Sequence, residues 1–167
     1  IFRKQVEAQA RAWVFTSATL SVNGDFSHYV NELGIEAAQT ASCASPFDFA
    51  TQGLLYVPPD LPDPNTADYT RAVVTAALPV VEASRGRAFS LFTSLRALRE
   101  ARELLAEVFK QRGWEYPLLV QGEGSRSELL ERFRELGNAV LVGSQSFWEG
   151  VDVRGDALSL VMIDKLP

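Results

Sequence analysis

The sequence predicts an α/β fold, in which helices flank a parallel β-sheet. Two observations lead to this prediction. Short apolar runs bounded by turn residues alternate with longer segments in which apolar residues recur every three or four positions. Strands and helices that alternate at these lengths are typical of parallel sheets joined by right-handed crossovers.

The clearest alternation of strands and helices lies in residues 66–167. The predicted strands are residues 88–92, 117–120, 139–142 and 158–163. The predicted helices are residues 67–84, a segment from residue 95 that ends at Gly113, and residues 128–136. Pro79 is expected to bend or stop the first of these helices, because proline removes a backbone donor.

Residues 1–65 carry weaker structural signals. The predicted elements are a charged helix at 2–11, a strand at 13–15, a short helix at 26–33 that ends at Gly34, and a strand at 54–57. Five of the eight prolines lie in residues 45–65. This segment is therefore expected to be mostly irregular and to connect two structural units.

The composition excludes several classes of protein. Hydrophobic residues make up 47% of the 167 residues and charged residues 22%, as expected for a globular protein with a core. The one cysteine, Cys43, rules out an internal disulfide and fits a reducing cytoplasm. The one histidine, His28, rules out a histidine-rich metal site. We predict no bound metal.

The net charge and the hydropathy pattern limit the classes of binding partner that the sequence allows. The net charge of −5 argues against a generally basic nucleic-acid-binding surface and leaves room for a local basic groove. No apolar run approaches the roughly 20 residues of a membrane span. The chain starts at Ile1 and both ends read as interior sequence, so we expect a piece of a longer protein.

The most informative segment is residues 139–155, where an apolar run ends at Gly143 and polar residues follow. Parallel sheets build binding sites at the carboxyl ends of their strands. Glu149 and Asp152 are three positions apart and are expected on one side of a helical turn. They are candidates to bind a ribose hydroxyl or to orient an arginine. The alternative is that both are solvated acids.

Other polar or aromatic segments leave two interpretations open. Thr93 and Ser94 follow a predicted strand and either bind phosphate or form a plain helix cap. Phe147 and Trp148 either stack on bases or anchor their segment to the core. Residues 125–128 (SRSE) form a capping box before an apolar run. Near it, Gln121 and Arg126 are candidates to contact a ligand, with a structural role as the alternative.

The order of the motifs resembles the C-terminal motor half of DinG-type and YoaA-type helicases, bacterial relatives of XPD in helicase superfamily 2. The segments that carry the resemblance are FTSATL (15–20), SPF (45–47), LFTS (91–94), SFWEGVD (146–152) and IDKLP (163–167). Among them SFWEGVD is the most specific, whereas TSATL is shared more widely among helicases. The resemblance covers nearly the whole chain.

The resemblance implies a RecA-like sheet of the P-loop NTPase-type helicases. In this family two such domains clamp ATP between them and move along single-stranded DNA. Residues 16–19 match motif III, residues 93–94 match motif IV and residues 144–152 match motif V. The implied ATP-cleft and coupling residues are Thr16, Ser17, Thr19, Glu149, Gly150 and Asp152, and the implied DNA-binding residues are Thr93, Ser94, Ser144 and Ser146.

The resemblance also implies a division of the chain. Residues 1–20 are expected to be the tail of the preceding motor domain or the exit from it, and residues 21–65 to be a connecting segment. Residues 66–167 are expected to form the second motor domain, truncated before motif VI. The full-length protein is expected to use ATP and Mg²⁺ and to act on single-stranded DNA, with an iron–sulfur cluster possible upstream. This chain contains no GxxxxGKS/T loop, and motif VI is expected beyond Pro167. The isolated segment is therefore predicted to hydrolyse no ATP.

Two rival functions remain open from the sequence. The first is a non-catalytic module of helicase ancestry that docks a replication or repair protein through an exposed apolar patch. The second is a kinase-like nucleotide-binding enzyme, which the absence of a glycine-rich phosphate loop disfavours. Steeply salt-dependent DNA binding would favour the motor domain over the docking module.

Overall fold

A computed structural model describes residues 11–35 and 38–166 and divides the chain into two compact units, Ile1–Leu55 and Tyr56–Pro167. The predicted helix at 2–11 lies almost entirely outside the described residues. The predicted division at residues 20 and 65 stays a prediction. Among the described residues, no helix combines the length and the apolar character needed to cross a membrane.

The first unit contains two short helices in its described part, α1 (Ser27–Leu33) and α2 (Phe49–Gln52). α1 ends at Gly34, which adopts φ 67°, so the predicted glycine stop is confirmed. The predicted strand at 13–15 is wrong: its backbone is irregular and Val14 is 84% exposed. A run of three apolar residues fits a strand pattern, but a strand also needs a ladder of backbone hydrogen bonds.

The second unit is built around a four-stranded sheet. Its elements are α3 (Tyr69–Ala83), β1 (Ala88–Leu91), α4 (Leu95–Arg112), β2 (Leu118–Val120), α5 (Arg126–Leu136), β3 (Val140–Gly143) and β4 (Leu160–Ile163). The strand order is β2-β3-β1-β4, and every pairing is parallel. The predicted α/β fold with a parallel sheet is confirmed.

The predicted strand at 54–57, which spans the border between the two units in sequence, is wrong: Leu54 and Leu55 are 95% and 88% exposed and pair with no described strand. In the second unit, α3 continues through Pro79 to Ala83, so the helix does not stop at this proline, and the predicted bend there stays a prediction. Leu78 and Val81 are buried on either side of the proline, and their packing against the sheet favours an unbroken helix over the lost hydrogen bond.

Local sequence sets the helix ends of this unit. Ser94 caps α4 by accepting a hydrogen bond from the backbone N–H of Ala97, at 3.2 Å. The predicted capping box of α5 is confirmed, since Ser125 and Glu128 bond to each other's backbone N–H. These hydrogen bonds lower the pKa of Glu128. Both helices are thereby fixed at the end where they leave the sheet.

The core lies on both faces of the sheet. One cluster packs α3 and α4 on alternate strand residues such as Ala88 and Val142, and the other packs α5 on Phe89 and Leu141. β1 and β3 are buried along their whole length, as expected for central parallel strands. Gly86, at φ 75°, lies two residues before β1, and an added Cβ there would meet the carbonyl oxygen of Asn138 at 2.1 Å.

Candidate functional site

Polar side chains collect at one edge of the sheet. Thr93 follows β1, Gln121 follows β2, Ser144 follows β3 and Asp164 follows β4. Because all four strands are parallel, these residues meet at the carboxyl edge, where open α/β sheets bind their ligands. The structure thus brings the predicted residues Thr93 and Ser144 to the same edge.

Asp164 joins the ends of β1 and β4. The residue is only 7% exposed. One carboxylate oxygen accepts hydrogen bonds from the backbone N–H groups of Thr93, at 3.0 Å, and Lys165, at 2.8 Å. The second oxygen accepts the Thr93 hydroxyl at 3.1 Å. Asp164 lies in the IDKLP segment that carries the family resemblance, but it was not among the predicted site residues. The available signal was a lone acid directly after the apolar run of β4, at the position where a parallel strand ends.

Tyr69 ties α3 to the same point. Its hydroxyl donates to the backbone carbonyl of Asp164. Burial raises the pKa of Tyr69, and the Asp164 carboxylate raises it further. The phenol therefore keeps its proton and remains a hydrogen-bond donor at neutral pH, so the first residue of α3 stays fixed to the end of β4.

Gln121 joins the ends of β2 and β3. Its Oε1 accepts the Ser144 backbone N–H at 2.7 Å and the Ser144 hydroxyl at 2.8 Å. The Ser146 hydroxyl is more distant, at 3.4 Å. A backbone N–H can only donate, so this contact fixes which end of the amide faces β3. Oε1 of Gln121 therefore has a structural role, and the ligand contact that the sequence also left open stays a prediction for the Nε2 group.

A cleft of about 230 Å³ opens between the starts of α3 and α4 and the end of β4. Arg96 and Lys165 supply positive charge to its lining, and Glu100 and Asp164 are the acids there. Ser94 also lines the cleft, and its hydroxyl oxygen accepts from Ala97, so its proton remains free to donate outward. Hydroxyl, guanidinium and ammonium donors in one cleft suit an anionic ligand.

The segment after β3 is anchored by aromatic packing. It begins with a 3₁₀ helix, Gln145–Phe147, and Phe147 is 3% exposed in the core cluster of α5. Trp148 packs partly buried against the same cluster. An added Cβ at Gly143 would lie 2.8 Å from the Phe147 ring, so glycine leaves room for this anchor. Of the two interpretations that the sequence left open for Phe147, the structure therefore supports anchoring to the core.

Two arginines of α5 hold the backbone of the following residues. Arg126 donates to the carbonyls of Glu149, at 2.6 Å, and Gly150, at 2.9 Å. Arg134 donates to the carbonyl of Asp152 at 2.7 Å. The expected helical turn across 149–152 is wrong, because these carbonyls bond to arginine side chains instead of to a helical backbone.

The two predicted carboxylates differ in position. Arg126 lies in the first turn of α5 and Arg134 in the last, so the chain descends along α5 between Glu149 and Asp152. Glu149 is the nearer of the two acids to the carboxyl edge. It is exposed, and no described residue pairs with its carboxylate. Asp152 is 73% exposed at its side chain and contacts Arg154 at 3.1 Å. Their role toward a nucleotide stays a prediction.

The predicted motif III residues lie in the first unit and are exposed. The hydroxyls of Ser17 and Thr19 are 3.2 Å apart, and the Thr19 backbone N–H donates to Ser17 at 3.2 Å. Thr16 is also exposed. These hydroxyl residues form a local turn, and their coupling role stays a prediction.

The carboxyl edge of the sheet lies in a part of the chain that matches a known protein family. A family model of the helicase C-terminal domain matches residues 77–167, which include all four strands and the part of the cleft lined by residues 93–100, 164 and 165. The chain belongs to this family. The helicase C-terminal domain accounts for the RecA-like arrangement of the sheet and helices, and the resemblance to DinG-type and YoaA-type helicases is confirmed.

Relatives of this helicase domain align along almost the whole chain. The ATP-dependent DNA helicase YoaA of Escherichia coli is 47% identical over 166 residues, which is 99% of this chain and 25% of that protein. The ATP-dependent helicase DinG of Mycobacterium tuberculosis is 38% identical over 167 residues, 98% of this chain and 24% of that protein. The chain thus spans about a quarter of the length of these relatives.

A more distant relative carries a different name. The 3′-5′ exonuclease DinG of Bacillus subtilis is 30% identical over 170 residues, which is 98% of this chain and 18% of that protein. The helicase C-terminal domain therefore occurs in proteins with two kinds of named activity. For this reason, function has to be argued from the site and not from the fold alone.

Proposed function

We propose that this chain acts as the second motor domain of an ATP-dependent DNA helicase, where it forms one wall of the ATP cleft and part of the single-stranded DNA track. The observation that carries the proposal is the carboxyl edge of the sheet. Four parallel strands end there in a set of hydrogen-bonded polar side chains, beside a cleft that holds Ser94, Arg96 and Lys165.

The cleft is suited to the backbone of single-stranded DNA. The Ser94 hydroxyl and the first backbone N–H groups of α4 face a site with Arg96 and Lys165 in its lining. Helix N-termini and positive side chains together favour phosphate. The net charge of −5 makes such a groove local, so binding depends on these few residues.

The chain supplies only part of a nucleotide site. Over residues 11–35 and 38–166, no group of three His, Cys, Asp or Glu side chains is placed to hold a metal ion. The oxygens of Asp164 already accept hydrogen bonds from Thr93 and Lys165. In this proposal the complete cytoplasmic protein binds ATP and Mg²⁺ mainly through other segments. The one cysteine of this chain cannot hold an iron–sulfur cluster.

In the proposed mechanism this chain binds DNA and alternates between two conformational states. When bound, ATP supplies the free energy that drives the cycle. Arg126 holds the backbone of Glu149, and the Glu149 carboxylate faces the ATP cleft. Ser94 and Arg96 bind DNA phosphate. Differential contacts in the two states shift their populations, and each cycle moves this chain along DNA.

A second candidate function rests on a separate observation. Phe47 and Phe49 are largely exposed, with their ring centroids 6.1 Å apart, and Leu54 and Leu55 are exposed nearby in sequence. Exposed apolar side chains favour a protein-docking module that binds a replication or repair protein. Such a module would bind its partner without the salt dependence of a DNA track.

Titration of single-stranded DNA against salt tests the motor-domain proposal. We expect the chain to bind a fluorescent thymidine oligonucleotide with an affinity that falls linearly on logarithmic axes as salt rises. Arg96→Gln should reduce the slope by about 0.7, the value for one phosphate contact on a single strand. Arg132→Gln, an exposed arginine in the second half of α5, is the matched control and should leave the slope unchanged. Binding absent at low salt would refute the proposal.

A further inference from the structure

The hydroxyl groups at the carboxyl edge differ in the direction of their hydrogen bonds. Thr93 donates its hydroxyl proton to the Asp164 carboxylate, and Ser144 donates to Gln121 Oε1. Phosphodiester oxygens of DNA only accept hydrogen bonds. While these internal bonds stand, neither hydroxyl has a proton left for a DNA phosphate. The DNA track therefore needs other donors at this edge.

Gln121 carries such a donor. The backbone N–H of Ser144, at 2.7 Å, requires an acceptor, so Oε1 is the atom that faces β3. The Nε2 group then points away from Ser144, and no described residue accepts either of its protons. Gln121 is partly buried and directly follows the last residue of β2, so this amide lies at the carboxyl edge.

We propose that Gln121 binds single-stranded DNA, with Nε2 donating to a backbone phosphate oxygen while Oε1 holds the start of the segment after β3. The inference rests on the proposed function, and it assigns the contact to an amide in place of the Thr93 and Ser144 hydroxyls. The same side chain connects the DNA contact to the segment that carries Glu149. Hydrogen bonds on both ends of one amide strengthen each other, which couples DNA to this segment.

Gln121→Glu separates the two halves of this side chain. The glutamate keeps an oxygen to accept from Ser144, has no Nε2 donor, and places negative charge where the phosphate is proposed to bind. We expect affinity for a thymidine oligonucleotide at low salt to fall about tenfold or more, because like charges meet across the interface. The thermal unfolding midpoint should stay close to that of the wild type. Wild-type affinity in Gln121→Glu would overturn the inference.

Gln111→Glu is the matched control, because it makes the same substitution at an exposed residue in the last turn of α4, away from the carboxyl edge. Affinity for the oligonucleotide should stay within about twofold of the wild type. A loss in this control as large as that in Gln121→Glu would contradict the assignment to the amide. A wild-type chain that fails to bind the oligonucleotide would refute the proposed function itself, whatever the variants do.

A second measurement does not depend on how a variant folds. In the wild-type chain, the NMR signals of the Gln121 side-chain amide should move when the thymidine oligonucleotide is added. Unmoved Gln121 side-chain signals, with the backbone amides of Ser94 and Arg96 shifted by the same DNA, would overturn the inference and leave the proposed DNA track in place.

Discussion

Glu149→Gln is expected to lower DNA-stimulated ATP hydrolysis by the complete helicase roughly 10²-fold, the effect of removing one preorganised charged group from an active site. Arg126 fixes the Glu149 backbone at 2.6 Å, and the side chain is exposed near the carboxyl edge without a described ion-pair partner. An exposed carboxylate without a described partner, on a backbone held in place, is available to a ligand. The measurement is the rate of phosphate release with saturating single-stranded DNA.

Asp152→Ala should also reduce this rate, by a smaller factor, because the Asp152 backbone is held lower on α5 by Arg134 and its carboxylate is engaged by Arg154. Glu131→Gln removes an exposed acid from α5 and serves as the control that should retain the wild-type rate. Full activity in both Glu149→Gln and Asp152→Ala would remove these acids from the proposed ATP wall.

Phe133→Ala is expected to lower the free energy of unfolding by about 3–5 kcal/mol, as for other large aromatic residues removed from a core. Phe133 is fully buried, and its ring packs edge-on against Phe89 at a centroid distance of 4.7 Å. The same cluster contains Phe147, which anchors the segment after β3. The cavity left by the missing ring should therefore weaken the packing of α5 on the sheet and the packing of the segment after β3. Urea unfolding followed by circular dichroism measures the change.

Arg132→Ala is the matched control for this core substitution, since it removes an exposed side chain at the neighbouring position of α5. Exposed substitutions of this kind usually change stability by less than about 0.5 kcal/mol. A loss below about 1 kcal/mol in Phe133→Ala would show that the α5 cluster contributes little to the fold.

The sequence predicted the second unit well because its signals are local and repeated. Each central strand is an apolar run, and α4 and α5 end at Gly113 and Gly137, both of which adopt positive φ. Burial on both faces of β1 and β3 follows from the helices that alternate with them. Such patterns need no knowledge of distant contacts. They determined the parallel sheet and placed Thr93 and Ser144 after their strands.

The first unit and its border were predicted less well. Residues 13–15 and 54–57 match strand composition, and neither segment forms a strand. Strand formation depends on a hydrogen-bonding neighbour elsewhere in the chain, and composition carries no information on that neighbour. The continuation of α3 through Pro79 has a similar cause, since packing of Leu78 and Val81 on the sheet outweighs a local helix-breaking signal.

The missed parts of the site depend on contacts that are remote in sequence. Asp164 bonds to Thr93 across 71 positions, and Gln121 bonds to Ser144 across 23. Arg126 was a candidate to contact a ligand, with a structural role as the alternative, and Arg134 was not among the candidates. Both hold carbonyls of the segment after β3, at residues 149, 150 and 152. A single sequence shows the residue types and their order. The pairing of strand ends appears only when the sheet is assembled.

Crosslinking to DNA tests the central claim, that the carboxyl edge of the sheet faces the DNA track. A photoreactive amino acid is placed in the complete helicase at Leu95, an exposed first residue of α4, or at Glu115, an exposed residue at the opposite edge before β2. After irradiation with labelled single-stranded DNA, we predict a crosslink from position 95 and none from position 115. Crosslinks from position 115 alone would contradict the account.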